Sequence, residues 1–246
     1  MLKVFSQSDT GLVRTSNEDA CRCGVFSPDA AWAVVCDGMG GVNGGNVASS
    51  IAVEKISETI LSGYREGMSG DAVRELIASA VSRANRSVHE MAGSDVTLTG
   101  MGTTVVAVVA SGGVIHVAHA GDSRAYLITP DAIRRLTTDH SVVQEMVDKG
   151  DLTEQQARKH PQKNIITRAL GIEDSLRVDY SEVPAPENAR LLICTDGLTN
   201  YAEEERIFAL AKEYRGKELT ERLIALAKSG GGGDNITVVV LEDQSV

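Results

Sequence analysis

Apolar and polar positions follow two rhythms along this chain. Short continuous apolar runs with polar or glycine boundaries read as buried strands, as in Ala31–Cys36 ("AWAVVC"). Met1–Ser8 is a short strand of the same kind. Gly45–Tyr64 places Val47, Ile51, Ile56, Ile60 and Tyr64 at helical spacing. Asp71–Met91 carries a fuller stripe of Val73, Leu76, Ile77, Ala80, Val81, Ala84 and Val88, with Asp71 as the expected N-cap. The texture then changes. Thr103–Ala110, Val114–Ala120, Arg124–Thr129 and Ala132–Leu136 are closely spaced strands joined by "SGG", "GDS" and "PD", which predicts an antiparallel meander. Asp139–Gly171 is mostly polar, with room for two short helices. Strands return at Leu176–Val183 and Arg190–Cys194, helices at Glu203–Tyr214 and Glu218–Lys228, and a last strand at Ile236–Leu241. Grouped antiparallel strands with helices between them predict an α+β fold, two sheets face to face with helices covering both outer faces. No linker or repeat divides the chain, so a single domain over residues 1–246 is expected.

Composition narrows the functional classes. The formal net charge is -10 and no basic run occurs, which gives no attraction for nucleic acid. The longest apolar runs, such as "TTVVAVVA", are far too short to span a bilayer, and "MLKVFSQSDTG" has no apolar signal core. Cys21, Cys23, Cys36 and Cys194 fit no zinc spacing and read as small apolar residues in a reducing cytoplasm.

The chemistry lies at strand ends. Asp37 closes the Ala31–Cys36 run and is followed by Gly38; Asp196 closes "LLICT" and is followed by Gly197. Asp234 follows four glycines and precedes a strand, and Asp122 follows Gly121 between two strands. Any one of these aspartates reads as a turn or cap residue. Together they read as a carboxylate cluster, which hard cations such as Mg²⁺ or Mn²⁺ would relieve of its repulsion. Two such ions can activate a shared water for in-line attack at phosphorus. Arg14, in "GLVRTSNEDA", has the planar fork that phosphate oxygens need, although a surface ion pair would also explain it. Asn17, Glu18 and Asp19 add polar groups beside it. Competing chemistries leave no trace: no cysteine is followed six positions later by arginine, and there is no phosphate-binding P-loop or H-E-x-x-H.

These residues resemble a known family. "RTSNEDA", "VVCDGMGG", "GMGTTVVA", "AHAGDSRAYLI", "LTTDHS", "HPQKNIITRALG", "LLICTDGLTN" and "GGGGDNITVVV" occur in the order seen in metal-dependent serine/threonine protein phosphatases of type 2C, in their bacterial form. The resemblance implies a four-layer α-β-β-α sandwich with two Mn²⁺ or Mg²⁺ ions in a cleft at one end. It implies Asp37 as a bridging ligand, a carbonyl ligand from Gly38, Asp196 and Asp234 on the second ion, and Asp122 with Asp196 on a weaker third. Arg14 would bind the phosphate, Glu18 and Asp19 would lie in the outer shell, and Asn235 would steady the Asp234 loop. Residues 141–168 correspond to a flap over the cleft. Phosphoserine and phosphothreonine proteins, the products of a serine/threonine kinase, are the implied partners of a cytoplasmic monomer, with no phosphoenzyme formed. Many eukaryotic relatives carry a histidine proton donor where this chain has Met39, so no general acid is assigned. A catalytically silent binding module of the same fold is the alternative, and it would be expected to have lost a ligand; none is missing here.

Overall fold

The computed structural model describes residues 1–40 and 44–243. Chain order is Leu2–Asp9 (β1), Asp19–Ser27 (β2), Ala30–Met39 (β3), helices Gly44–Gly63 (α1) and Gly70–Ser94 (α2), then Gly102–Thr103 (β4), Val105–Ser111 (β5), Val114–Ala120 (β6), Arg124–Ile128 (β7) and Ile133–Arg135 (β8). Short helices Val142–Asp148 (α3) and Glu154–Ala157 (α4) follow. After them come Asp179–Pro184 (β9), Arg190–Cys194 (β10), Asp196–Thr199 (α5), Glu204–Glu213 (α6), Gly216–Ser229 (α7) and Ile236–Asp243 (β11). One antiparallel sheet runs β1-β11-β10-β7-β8; the other runs β2-β3-β5-β6-β9, with β4 paired to the end of β3.

Strand alternation sorts side chains into layers. On β3, Trp32, Val34 and Cys36 pack with α1 and α2, through Ile56, Ile60, Ile77 and Val81. Ala31, Ala33 and Val35 point the other way and meet Leu191, Ile193, Val239 and Leu241 of the second sheet. That sheet's outer face, with Leu192, Cys194, Val238 and Val240, packs on Ile207, Leu219 and Leu223 of α6 and α7. The result is the expected α-β-β-α sandwich, with continuous apolar runs because both faces of the central strands are covered.

Three expectations need correction. The four strands from Thr103 to Leu136 do not form one meander: β5 and β6 belong to one sheet, β7 and β8 to the other. Both runs are apolar on both faces, so nothing in the pattern assigns them to a common sheet. Gly121, at φ 112°, lets the chain cross between sheets. The N-cap of α2 is Ser69, whose hydroxyl accepts from the Ala72 amide at 3.3 Å; Asp71 lies in the first turn, where its charge suits the helix dipole. Strand β2 has no counterpart in the sequence reading. It is a half-buried edge strand whose "CRCG" never forms an apolar run.

Candidate active site

At one end of the sandwich the layer between the sheets stops being apolar. The inward row Ala31, Ala33, Val35 of β3 continues to Asp37, and Cys23 and Cys21 of β2 lead to Asp19, which lies opposite Asp37 in register. Leu191 and Ile193 lead to Thr195, Leu241 and Val239 lead to Thr237, and Leu127 and Ala125 lead back to Ser123. These hydroxyls form the frame of the cleft. Thr195 Oγ1 donates to Asp19 Oδ2 at 2.9 Å and accepts from the Thr237 amide at 3.0 Å. The Thr104 hydroxyl accepts from the Asp37 amide at 2.9 Å and meets the Ser123 hydroxyl at 2.8 Å. Thr103 Oγ1 donates to the Asp37 carbonyl at 2.9 Å. The main chain of Asp37 is therefore held on both sides by β4 and the start of β5. Sequence reasoning missed these threonines; the signal was a polar residue ending an otherwise apolar inward row.

The glycines beside the aspartates have a steric reason. Gly38 faces α1, and a Cβ there would lie 2.0 Å from the Gly45 carbonyl oxygen. A Cβ on Gly197 would lie 1.8 Å from the carbonyl oxygen of Asn235. Each glycine lets two backbones approach at the mouth of the cleft.

Asp196 opens α5, and its Oδ2 accepts from Asn200 Nδ2 at 2.7 Å. Asp234 is met by Arg14, Nη2 to Oδ2 at 2.9 Å. Asp122 sits in the turn where the chain changes sheets. That turn is pinned by a stacked histidine pair, His119 and His140, with ring centroids 4.5 Å apart. His140 Nδ1 accepts from the Gly121 amide at 3.1 Å, and its own amide donates to the Gly121 carbonyl at 2.8 Å. Burial, reinforced by His140, pushes the His119 imidazole down to about 4, so this pair braces the turn without adding charge. Arg124 next door is neutralised by a two-pronged bridge to Asp139, with Nη2 to Oδ2 at 2.6 Å.

Electrostatics identify the cluster. Burial, then Asp19, Asp196, Asp122 and Asp234, push the Asp37 carboxyl well above the usual carboxylate range. Burial, then Asp196 and Asp139, do the same to Asp122, with Arg124 opposing. Asp19 is pushed up to about 7 by burial, with hydrogen bonds from Thr237 and Thr195 pulling the other way. Asp196 is pushed up to about 6 by burial and Asp234. Each of these groups resists ionising first because it is buried and then because the others are near.

Arg14 and Glu18 ride on the loop between β1 and β2, which Asn235 holds. Its Oδ1 accepts from the Glu18 amide at 2.8 Å, and its Nδ2 donates to the Thr10 and Ser16 carbonyls at 3.0 and 2.9 Å. Asp234 Oδ1 accepts only the Asn235 main-chain amide, at 2.9 Å. The Asn235 side chain thus steadies the opposite loop rather than the one that carries it.

Oxygen donors clustered under mutual repulsion suit hard divalent cations. Among the described residues no three His, Cys, Asp or Glu side chains already converge as a ligand set. Asp234 is turned to Arg14 and Asp196 to Asn200, and both would have to exchange those partners. Among the described residues Asp19 Oδ1 is buried with no hydrogen-bond partner, an oxygen that a donor or a cation would satisfy. The donor chemistry fits. Past Asp122 and Asp196 the cleft widens into a cavity of about 840 Å³, walled by Ser141, Val143 and Gln144 of α3 with its cap, by Lys163, and by Glu203 and Glu204. Residues of the 141–168 segment therefore border the cleft, and Lys163 Nζ reaches Asn200 Oδ1 at 3.2 Å.

Fold and cleft define the class first: a two-sheet α+β protein with an acidic cleft at one end. The profile of the family described as protein phosphatase 2C matches residues 13–226. The serine/threonine phosphatase stp of Listeria innocua is 37% identical over 242 residues, covering 96% of this chain and 94% of its own. The crystal structure of the Mycobacterium tuberculosis serine/threonine phosphatase PstP/Ppp superposes with a TM-score of 0.89 at 34% identity, over 98% of both chains. A structure of the PstP catalytic domain with two manganese ions gives 0.87 at 32% identity, over 98% of this chain and 97% of that one. The chain belongs to the protein phosphatase 2C family.

Proposed function

We propose that this protein hydrolyses phosphoserine and phosphothreonine in phosphorylated proteins, with two divalent cations, Mn²⁺ or Mg²⁺, in the carboxylate cleft. Asp37, the Gly38 carbonyl, Asp196 and Asp234 would hold them, and Asp122 with Asp196 would take a weaker third. What supports this reading is that Asp37, Asp122, Asp196 and Asp234, from four separate segments, lie near enough that the other three, after burial, push the Asp37 carboxyl up, with Arg14 paired to Asp234. When bound, the cations supply Lewis-acid activation of the attacking water and neutralise charge at phosphorus.

The remaining steps belong to the chain's own groups. Arg14, with its side chain 49% exposed, can turn its fork from Asp234 to two phosphoryl oxygens, which frees the Asp234 carboxylate. Thr103 and Thr104 keep the Asp37 main chain fixed, so the carboxylate arrives preoriented. Asp19 and Glu18 shape the surrounding negative field, and Asn235 keeps the Arg14 loop in reach. Met39 cannot donate a proton, and no side chain is assigned as general acid. The substrates would be those of a serine/threonine kinase in the same cytoplasm, where the four free cysteines would stay reduced.

Phosphate release from a phosphothreonine peptide decides the matter, measured with Mn²⁺, with excess chelator, and in Asp37→Asn. Turnover only in the first condition is expected; equal turnover in all three refutes the proposal.

A further inference from the structure

Strand β3 does not end at the candidate ligands. Two residues beyond Asp37, on the same strand face, half-buried Met39 forms part of the wall of a second cavity of about 330 Å³. Ile166, Ala169, Ile172 and Leu176 supply most of its apolar lining. That volume lies at the low end for ligand sites, enough for a side chain rather than a cofactor.

The walls are fixed in advance. Leu170 exchanges two main-chain hydrogen bonds with Thr103, at 3.1 and 2.8 Å. Asn85 of α2, 2% exposed, accepts from the Gly171 amide at 2.8 Å and donates to the Glu173 and Asp174 carbonyls at 3.0 Å each. Ile172 lies against bare backbone: a Cβ on Gly102 would meet its Cδ1 at 2.9 Å. Yet Ile172 remains 43% exposed. Its loop is held by hydrogen bonds on both sides, so the exposed face of Ile172 stays turned to the cavity that Met39 also lines.

Position selects the occupant. A strand advances about 3.3 Å per residue, so Asp37 and Met39 lie about 7 Å apart along β3. An extended substrate advances by the same amount, so a residue within two positions of the phosphorylated one reaches the Met39 wall. We propose that this cavity binds an aliphatic side chain of the phosphoprotein substrate, within two residues of the phosphoserine or phosphothreonine. This rests on the phosphatase reading above.

The test uses the full chain with Mn²⁺ and phosphothreonine peptides in which Leu replaces Ala at each of the two positions before and after the phosphothreonine. Leu at one position is expected to raise kcat/KM about 10-fold, equivalent to about 1.4 kcal/mol, chiefly through KM. Ile172→Ser should remove most of that advantage and Ile172→Val should keep it. Both should hydrolyse p-nitrophenyl phosphate, which has no flanking residues, as the parent does. If Ile172→Ser also loses that small-ester activity, Leu176→Ala replaces it in the comparison. Indifference to Leu at all four positions, or an advantage unchanged by Ile172→Ser, overturns the pocket while leaving the phosphatase reading intact. No turnover of any substrate, the small ester included, overturns both.

Discussion

Removing the Asn235 side chain tests how the cleft is held together. Asn235 is 5% exposed, and its amide satisfies three main-chain groups of the β1–β2 loop: the Glu18 amide and the Thr10 and Ser16 carbonyls. At about 1 kcal/mol net per hydrogen bond, Asn235→Ala should cost about 3 kcal/mol. For a chain of this size that corresponds to a fall in Tm of roughly 6–12 °C. The scan belongs in chelator, since bound cations would add their own mass-action stabilisation. Loosening the loop also releases Arg14, so KM for a phosphopeptide should rise about 10-fold, about 1.4 kcal/mol, with a smaller change in kcat. Asn235→Asp discriminates further. It keeps the acceptor for Glu18 but sets a carboxylate against two carbonyls and beside Asp234, so it should be at least as damaging. If Asn235 acts through Arg14, the KM effects of Asn235→Ala and Arg14→Ala will not add. A Tm change below about 2 °C with unchanged KM would refute the clamp, and a mild Asn235→Asp would refute the donor assignment.

Other predictions concern charge and backbone contact. In chelator, stability should fall as pH rises from about 4 towards 7, because Asp19 and Asp196 ionise in the fold only near 7 and 6, so the folded state there holds more protons than the unfolded one. His116, His119 and His140, held below the ordinary imidazole range by burial, oppose this within the same window, because the unfolded chain sheds their protons as pH rises, so the fall is shallower than the carboxylates alone would give. Asp9 and Asp179, whose pKa values are lowered, also contribute with the opposite sign, but their contribution is lost only below about 4. Saturating Mn²⁺ should remove the carboxylate contribution in thermal scans, and a pH profile that Mn²⁺ leaves unchanged would contradict the raised carboxylates. Asp37→Asn should raise the chelated Tm at pH 7.5 while abolishing phosphopeptide turnover, which separates the residue's cost to the fold from its use. Gly197→Ala, with its Cβ 1.8 Å from the Asn235 oxygen, should leave little folded protein by circular dichroism. Gly93→Ala meets nothing within 4 Å inside α2 and should gain about 0.5–1 kcal/mol in urea unfolding.

The four aspartates were legible because each stands at a strand end beside glycine, a local signal needing no partner. The helices α1 and α2 were legible for the same reason, through their apolar spacing. What sequence could not carry was pairing at a distance. Asn235 meets Glu18 from 217 positions away, and Thr195 meets Asp19 from 176. The adjacency of Asp19 and Asp37 depends on the register of β2, a strand with no apolar run to announce it. Glycines next to the aspartates suggested room for a carbonyl to reach a metal; Gly38 and Gly197 are required in addition by contacts with Gly45 and Asn235. A glycine records that something comes close, not what it is.

The supports of the cleft share one property that follows from its charge. Carboxylates that repel one another cannot be positioned by a ring of cations without losing the negative field that makes them useful. Here the groups that hold these carboxylates, or the main chain around them, are neutral: Thr103, Thr104, Thr195, Thr237, Asn200 and Asn235. The histidine pair behind Asp122 obeys the same rule, since burial holds His119 uncharged at neutral pH. Arg124, the one deeply placed cation nearby, is balanced by Asp139. Among the described residues, Arg14 and Lys163 bring positive charge to the cluster through single side-chain contacts, and both contacts can be exchanged as substrate or cations arrive. Neutral hydrogen bonds fix the geometry while the charge stays unsatisfied, so under the proposed reading the cleft's pull on cations would come from burial first and mutual repulsion second, both already built into the fold.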